Sequence, residues 1–263
     1  MNYIKKALFI STLLPLLIGC SSTSSVKSND GSKNIVVIDA GHGGHDCGAT
    51  CGGRQEKELV LQITKKLSKK LHKVGYRVYM TRGNDRFLKL GQRTRIADRL
   101  NAKVFISIHA NAIANKSRFE IVEGVETYFL QKTRDAKSQR IAQRENASVL
   151  QGTDSLSKNV IIDSVLNGPK IVESNKLAID VQYNIIRNLR SKYPDVKNGG
   201  ARPAPFYVLV GASRPSILVE VGYLTNSKER SRLFTSDYQD RIVNGITEGV
   251  NRYLSNRKIE IGI

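Results

Sequence analysis

Short apolar runs rich in β-branched residues alternate along this chain with longer segments in which apolar residues recur every three or four positions. The apolar, β-branched runs predict buried strands, and they are Asn34–Asp39, Val104–Ile108 and Ile217–Val221. Glu56–Val74 is of the second kind and is followed by Gly75, so it predicts an amphipathic helix. Because parallel strands need a crossover between them, strands separated by helices predict an α/β fold.

The rest of the chain continues this alternation without an internal repeat or a linker. Residues 34–255 are therefore expected to form a single domain, with a mostly parallel or mixed central sheet flanked by helices, and residues 256–263 a C-terminal tail. Segment 135–192 is expected to be largely helical, with breaks at Gly152–Thr153 and Gly168–Pro169. The other predicted elements are strands at Tyr76–Thr81, Gly124–Leu130 and Tyr207–Val210 and helices at Leu90–Leu100 and Asp237–Leu254.

The first 20 residues have the features of an export signal. Lys5 and Lys6 precede an apolar stretch, Ala7–Ile18, which is shorter than the roughly 20 residues that span a bilayer. The sequence Leu-Ile-Gly-Cys that ends at Cys20 resembles the bacterial lipoprotein signal, in which the cysteine is lipidated and becomes the mature N-terminus. We therefore predict a signal peptide at 1–19, a flexible tether at 20–33, and a periplasmic, lipid-anchored protein of the bacterial cell envelope.

The charge of the chain is strongly basic. The 42 Lys and Arg residues outnumber the 23 Asp and Glu residues, which gives a net charge of +19. Such a charge implies a polyanionic neighbour, either nucleic acid, an anionic membrane or an anionic polymer such as a cell wall. Since an exported protein does not meet nucleic acid, we expect no nucleic-acid partner. Arg93, Arg95 and Arg99 in the Leu90–Leu100 helix are interpreted as a solvated face.

Cys47 and Cys51 lie in the loop that follows the first predicted strand. In an oxidising compartment they could close a small disulfide loop, which is the interpretation we favour. Two free thiols are the second interpretation. A metal site is the third, because His42 and His45 lie just upstream and two thiols with two imidazoles can bind zinc.

Side chains of the kind that bind metals lie where predicted strands end. His42 follows the first strand, His109 follows Val104–Ile108, and Glu220 lies in the last strand, while Glu56 begins the first helix. Functional residues of such sheets gather at the carboxyl ends of the strands. Two histidines and one carboxylate with an open fourth position are the ligand set of a catalytic zinc, and a further carboxylate can transfer protons.

Four segments resemble, in the same order, the zinc-dependent N-acetylmuramoyl-L-alanine amidases of bacteria. They are Ile38–Gly44, Glu56–Leu59, Ser107–Asn111 and Leu218–Asn226, and the likeness extends from about Asn34 to Leu254. The resemblance implies that the substrate is peptidoglycan and that the enzyme cleaves the amide bond between the lactyl group of N-acetylmuramic acid and L-alanine of the stem peptide.

The resemblance also implies a role for each of these side chains. His42, Glu56 and His109 would bind Zn²⁺, with His42 preferred to His45 because it occupies the family's G-H-G-G position. Glu220 would be the general base that takes a proton from water and returns it to the leaving amine.

A second resemblance concerns a subset of that family, the division-associated amidases, which act in cell-wall remodelling and cell separation. The segments that carry it are Ala142–Ser148, Ile161–Leu166 and Ser174–Val181. It implies a regulatory helical insert at 131–175, in which Glu145 occupies the zinc until a protein activator displaces the insert.

Two other functions fit parts of the sequence. Ser155–Lys158 has the pattern S-x-x-K of penicillin-binding enzymes, which would add a D,D-carboxypeptidase activity, but the chain lacks a K-T-G partner motif. A non-catalytic, wall-binding lipoprotein would be expected if a ligand or Glu220 were missing, and all of these residues are present.

Overall fold

A six-stranded sheet forms the centre of the computed structural model, which describes residues 34–149, 169–260 and 262. The strands of this sheet and of a small hairpin are β1 (Ile35–Ala40), β2 (Thr50–Cys51), β3 (Arg54–Gln55), β4 (Arg77–Met80), β5 (Val104–Asn111), β6 (Val125–Leu130), β7 (Asn198–Ala204) and β8 (Ser216–Tyr223). The helices are α1 (Glu56–Lys73), α2 (Leu90–Arg99), α3 (Ala136–Val149), α4 (Pro169–Arg190), α5 (Tyr207–Val210), α6 (Ser227–Leu233) and α7 (Ser236–Glu260).

The order of the strands in the sheet is β4-β1-β5-β8-β6-β7. The first four are parallel, β6 runs antiparallel to β8, and β7 is parallel to β6. This mixed, mostly parallel sheet with helices on both faces confirms the predicted fold class. The carboxyl ends of β1, β5 and β8 meet at one edge, which explains why residues far apart in the chain form one site.

Helices cover both faces of the sheet, and this accounts for the continuous apolar character of the central strands. In β1, Val36 and Ile38 pack in the core under α1, α4 and α7, whereas Val37 packs in the core under α2, α3 and α5. Every residue of β1, β5 and β8 is buried. A strand with two covered faces must be apolar on both, so the buried carboxylates within it require a specific explanation.

Several parts of the fold differ from the sequence prediction. Tyr207–Val210 is the short helix α5 rather than a strand, because its side chains pack under α2 and against β6 and β8 instead of extending the sheet. The strand β7 was not predicted, and neither was α6. The helix α7 extends to Glu260, beyond the predicted end at Leu254, so residues 256–260 of the predicted C-terminal tail at 256–263 are helical.

Several predicted features lie outside the described residues. They are the signal peptide at 1–19, Cys20, the tether at 20–33, and residues 150–168 of the predicted insert, which include the breaks at 152–153 and 168, the S-x-x-K tetrapeptide at 155–158 and the segment Ile161–Leu166. Within the part of the chain that the structure describes, none of the helices has the length and apolar character needed to cross a membrane.

Candidate metal centre

Four buried side chains converge at the carboxyl edge of the sheet. His42 follows β1, Glu56 is the first residue of α1, His109 lies near the end of β5, and Glu145 extends from α3. One potential ligand atom of each residue lies within 4.8 Å of the others. The structure thus brings together the three sequence-predicted ligands and the predicted regulatory glutamate.

The distances between these side chains are short. The Nε2 atom of His42 is 3.1 Å from Oε1 of Glu56 and 3.2 Å from Oε2 of Glu145. The Nδ1 atom of His109 is 3.1 Å and 3.0 Å from the same two oxygens. Two imidazole nitrogens and two carboxylate oxygens therefore face a common point.

This arrangement fits a divalent metal ion. The buried Nε2 atom of His42 has no hydrogen-bond partner among the described residues, although two carboxylate oxygens are close to it. A cation between the nitrogen and the oxygens would satisfy all of these atoms at once. Nitrogen and carboxylate oxygen ligands in a set of two histidines and one glutamate are typical of catalytic zinc.

Neighbouring groups fix the orientation of the ligands. Oδ2 of Asp46 lies 2.9 Å from Nδ1 of His42, which leaves Nε2 directed at the metal position. The carboxylate of Glu56 accepts hydrogen bonds from the backbone N–H of Ala110 and of Ala49, both at 2.9 Å. These contacts hold both side chains in place before any ion binds.

Glycines leave the space in which two of the ligands lie. A Cβ atom on Gly41 would be 2.4 Å from Cε1 of His109, and one on Gly48 would be 2.6 Å from Oε2 of Glu56. Gly48 also has a φ of 64°, which a residue with a side chain rarely adopts. The glycine-rich character of this loop thus reflects close packing around the site.

Burial and mutual charge shift the pKa values of the cluster. Burial lowers the pKa of His42, but the charge of Glu56 and the hydrogen bond with Asp46 raise it well above its ordinary value. Burial also lowers the pKa of His109, but the charge of Glu145 outweighs it and raises this pKa to about 9. Burial raises the pKa of Glu56, and the charge of His42 lowers it to about 2. The carboxylates thus raise the histidine pKa values through a negative charge that a bound metal ion would otherwise balance.

Glu220 lies beside this cluster on β8, where its Cα pairs with that of His109 across the sheet. It is fully buried, and neither carboxylate oxygen has a hydrogen-bond partner among the described residues. Burial, reinforced by the charge of Glu145, raises the pKa of Glu220 well above its ordinary value. A buried carboxylate that is not held by donors is available to exchange protons with a bound molecule.

The helix α3 covers the metal position. Besides the two histidine contacts of Glu145, its neighbour Arg144 donates from Nε to Oε1 of Glu145 at 2.9 Å. Arg144 also donates from Nη1 to Oδ1 of Asn111 at 2.9 Å and to the main-chain oxygen of Ala112, and its Nη2 lies 3.8 Å from Glu220. One turn of α3 therefore contacts the metal position, the loop after β5 and the carboxylate on β8.

The structure corrects two sequence-based interpretations of nearby residues, the disulfide and the exposure of Arg93, and it decides between His42 and His45 as the candidate ligand. The predicted disulfide is not formed: Cys47 and Cys51 are free thiols, and Sγ of Cys51 contacts Nη1 of Arg230 at 3.3 Å. His45 is exposed and packs on Phe87, so it is not part of the cluster. The interpretation of Arg93 as solvated is wrong, because its side chain is buried, whereas Arg95 and Arg99 are exposed.

Two acidic residues near the site, one half-buried and one fully buried, were missed by the sequence reasoning. One is Asp46, which orients His42. The other is Glu126 on β6, whose Cα pairs with that of Glu220 and whose Oε2 accepts from the hydroxyls of Tyr128 and Tyr223 at 3.0 and 3.2 Å. A carboxylate within the apolar run Val125–Leu130 was a signal of the same kind as Glu220 in its strand.

The site consists of two histidines and two glutamates, buried at the carboxyl edge of an α/β sheet, and a further buried carboxylate lies beside them. These features are typical of metal-dependent hydrolases, so the cluster is a candidate hydrolase centre. Residues 36–252 match the family of N-acetylmuramoyl-L-alanine amidases, and the chain belongs to that family. The position of its site at the ends of β1, β5 and β8 agrees with the segments that carry the resemblance in the sequence.

Known proteins support this assignment. The chain is 31% identical over 239 residues to the amidase AmiA of Escherichia coli, covering 89% of this chain and 80% of AmiA. It is 31% identical over 244 residues to the amidase AmiC of Neisseria meningitidis, covering 90% of this chain but only 56% of AmiC. The solved structure of the CwlD amidase from Clostridioides difficile in complex with the GerS lipoprotein has a TM-score of 0.63 at 26% identity, covering 85% and 99% of the two chains.

Proposed function

We propose that this protein is a zinc-dependent peptidoglycan hydrolase that cleaves the amide bond between the lactyl group of N-acetylmuramic acid and L-alanine of the stem peptide. The observation that carries the proposal is the convergence of His42, Glu56, His109 and Glu145 within 4.8 Å, next to the buried Glu220. Membership of the amidase family indicates the substrate and the bond that is cleaved, and the cluster contains the side chains that the reaction needs.

His42, Glu56 and His109 would hold the ion, and Asp46 would keep His42 in the orientation that directs Nε2 towards it. Zinc, when bound, supplies Lewis acidity that polarises the amide carbonyl and activates water near neutral pH. The protein's own part in binding is to present these ligands already oriented, because the two hydrogen bonds from Ala49 and Ala110 fix the carboxylate of Glu56.

Glu220 would transfer the proton. An amide releases its amine only after the nitrogen is protonated, so the reaction needs a group that takes a proton from water and delivers it to the leaving L-alanine nitrogen. Burial is the largest cause of the raised pKa of Glu220, while Glu145 and Arg144 on α3 shift that pKa in opposite directions, so admission of water when α3 moves away would lower the pKa and favour the base form.

The proposal is tested by separating metal binding from proton transfer. The substitutions are made in Glu145→Ala protein, in which α3 is held less tightly over the metal position. In that protein His109→Ala should remove both zinc and activity, whereas Glu220→Gln should retain stoichiometric zinc and lose activity. A chelator should inactivate the Glu145→Ala protein until zinc is restored. Gln182→Ala, in a buried hydrogen-bond group on α4 remote from the loop of His42, serves as a control that should keep both. Full activity of the metal-free protein or of Glu220→Gln would refute the proposal.

A second part of the proposal concerns regulation. Glu145 lies against both histidines and Arg144 bridges to Asn111, so α3 in this position excludes substrate from the metal. We infer that the insert at 131–175 holds the enzyme inactive and that a protein activator displaces it. The solved complex of CwlD with a lipoprotein supports the idea that amidases of this fold engage protein partners.

Localisation in the envelope completes the proposal. An export signal with lipidation at Cys20 would place the domain in the periplasm, tethered to a membrane, where its substrate is. Loss of residues 1–19 removes Lys5 and Lys6, so about +17 of the net charge of +19 remains on the exported part. Labelling with a radioactive fatty acid should mark the protein, and Cys20→Ala should abolish the label.

A further inference from the structure

Two arginines are buried beneath the loop that carries His42. Arg82, which follows β4, is fully buried and is among the largest side chains with no exposure, and Arg93 on α2 is 3% exposed. Arginine is almost never buried unless its donors are paired, because removing a guanidinium group from water costs free energy. Their hydrogen bonds therefore indicate what the two residues do.

Arg82 connects the segments that carry two of the proposed metal ligands. Its Nη2 donates to the main-chain oxygen of Gly41 at 2.7 Å and to that of Lys57 at 3.0 Å. Gly41 precedes His42, and Lys57 follows Glu56, so a single guanidinium group spans the two segments. Its other donors reach the main-chain oxygens of Ala40 and Asn84.

Arg93 also binds the main chain of this loop. Its Nη2 donates to the main-chain oxygen of His42 at 2.9 Å, and its Nη1 donates to that of Ala40 at 2.7 Å and to Oδ1 of Asp39 at 2.9 Å. Asp39 is itself fixed by Thr81 and Ser107. Three consecutive carbonyl groups, those of residues 40, 41 and 42, thus accept hydrogen bonds from guanidinium groups.

The backbone at His42 needs such support. Its φ is 58°, in the left-handed region, which costs a residue with a side chain on the order of 1 kcal/mol or more. A strained conformation persists only when surrounding contacts hold it. At His42 these contacts include the hydrogen bonds from the two arginines to the main-chain carbonyl groups of residues 40 to 42. Lysine cannot replace them, since a single ammonium group does not reach carbonyls on two sides as a planar guanidinium does.

We propose that Arg82 and Arg93 are positioning residues for the metal centre, which hold His42 and Glu56 in ligating geometry in the metal-free protein. The inference rests on the proposed function, because it assumes that this cluster binds zinc. Preset ligands do not have to be ordered when the ion binds, so the two arginines raise zinc affinity without touching the ion.

The test compares Arg82→Lys and Arg93→Lys with the unsubstituted full-length chain. Two quantities are measured: the zinc dissociation constant, by competition with a chromophoric chelator, and the melting temperature with and without a fixed zinc concentration. We expect each substitution to raise the dissociation constant by about 10- to 100-fold, the range for residues that orient metal ligands. The rise in melting temperature caused by zinc should shrink accordingly.

Gln182→Ala is the matched control for a purely structural effect. Gln182 is buried and bonds to Thr127, Val125 and Asn198, so its loss should lower the melting temperature and leave the zinc dissociation constant unchanged. Arg82→Gln provides a second variant if Arg82→Lys does not fold.

The outcomes separate this inference from the function on which it rests. If the arginine variants bind zinc as tightly as the unsubstituted chain and only melt at lower temperature, they are structural and the inference is overturned. If the unsubstituted chain binds no zinc, the proposed function fails and the inference fails with it. A raised dissociation constant in both variants, with an unchanged value for Gln182→Ala, supports the inference.

Discussion

Replacing Glu145 by alanine removes the carboxylate that α3 places against the two histidines of the candidate metal centre. Its Oε2 is 3.0 Å from Nδ1 of His109 and 3.2 Å from Nε2 of His42. If α3 blocks the site, a molecule is active only while the helix is displaced, so the observed rate is proportional to the open fraction.

The size of the effect follows from the contacts that are lost. Arg144 keeps its hydrogen bonds to Asn111 and Ala112 in the variant, so α3 remains partly held. We therefore count the lost contact of the carboxylate with the cationic centre as about one charge-assisted interaction, worth roughly 1.5–3 kcal/mol. Since about 1.4 kcal/mol corresponds to a factor of ten, the open fraction and the rate should rise about 10- to 100-fold.

The assay is the release of dye from dye-labelled, insoluble peptidoglycan at saturating zinc. Gln143→Ala, at an exposed position of the same helix, should leave the rate unchanged. The double variant Glu145→Ala, Glu220→Ala should be inactive, which ensures that the added activity belongs to this site. A Glu145→Ala rate equal to that of the unsubstituted protein would refute inhibition by α3, and a lower rate would indicate that Glu145 is needed for catalysis instead.

Three further predictions concern other parts of the site and the fold. Asp46→Ala should weaken zinc binding about 10- to 100-fold in a chelator competition, because His42 loses its orienting contact at 2.9 Å; an unchanged affinity would exclude that role. Gly41→Ala should abolish zinc binding measured by metal analysis, because the added Cβ would lie 2.4 Å from Cε1 of His109, and a variant that retains zinc would contradict this packing. Burial raises the pKa of Glu229 from 4.5 to about 7, so its contribution to stability is present below pH 4.5 and is lost as the pH rises through 7. The fall in the free energy of unfolding in urea over this range should be about 3 kcal/mol smaller in Glu229→Gln than in the unsubstituted protein, and an equal fall in both proteins would be the contrary result.

The strands and ligands that sequence reasoning found share one property, which is that their signal is local. Val104–Ile108 and Ile217–Val221 are apolar on both faces, and the motifs that contain His42 and His109 follow such runs directly. The fold class followed from the same alternation. For these elements the local sequence and the tertiary environment agree.

The parts that were missed depend on contacts between distant residues. Asn198–Ala204 contains two glycines and a proline, so it has no strand pattern, and it becomes β7 because it pairs with β6. Tyr207–Val210 has a strand-like composition but forms the single helical turn α5. In both cases tertiary packing overrides the local preference.

The contacts of Arg93 likewise could not be predicted from the local sequence. In the sequence it is one of three arginines on a helix, and Arg95 and Arg99 are indeed exposed. Only the structure places its guanidinium group against the main-chain oxygen of His42, 51 residues away. Helical periodicity offered a weak signal, since Arg93 and the buried Ala97 are four residues apart and share a face.

The identity of the bond that is cleaved tests the central claim most directly. Purified peptidoglycan would be digested with zinc-loaded Glu145→Ala protein, and the products would be analysed by mass spectrometry. The account predicts free stem peptides with an L-alanine N-terminus and glycan strands that retain the lactyl carboxylate, and neither product when Glu220 is also replaced. An intact lactyl amide together with cleavage elsewhere in the peptide or in the glycan would contradict it.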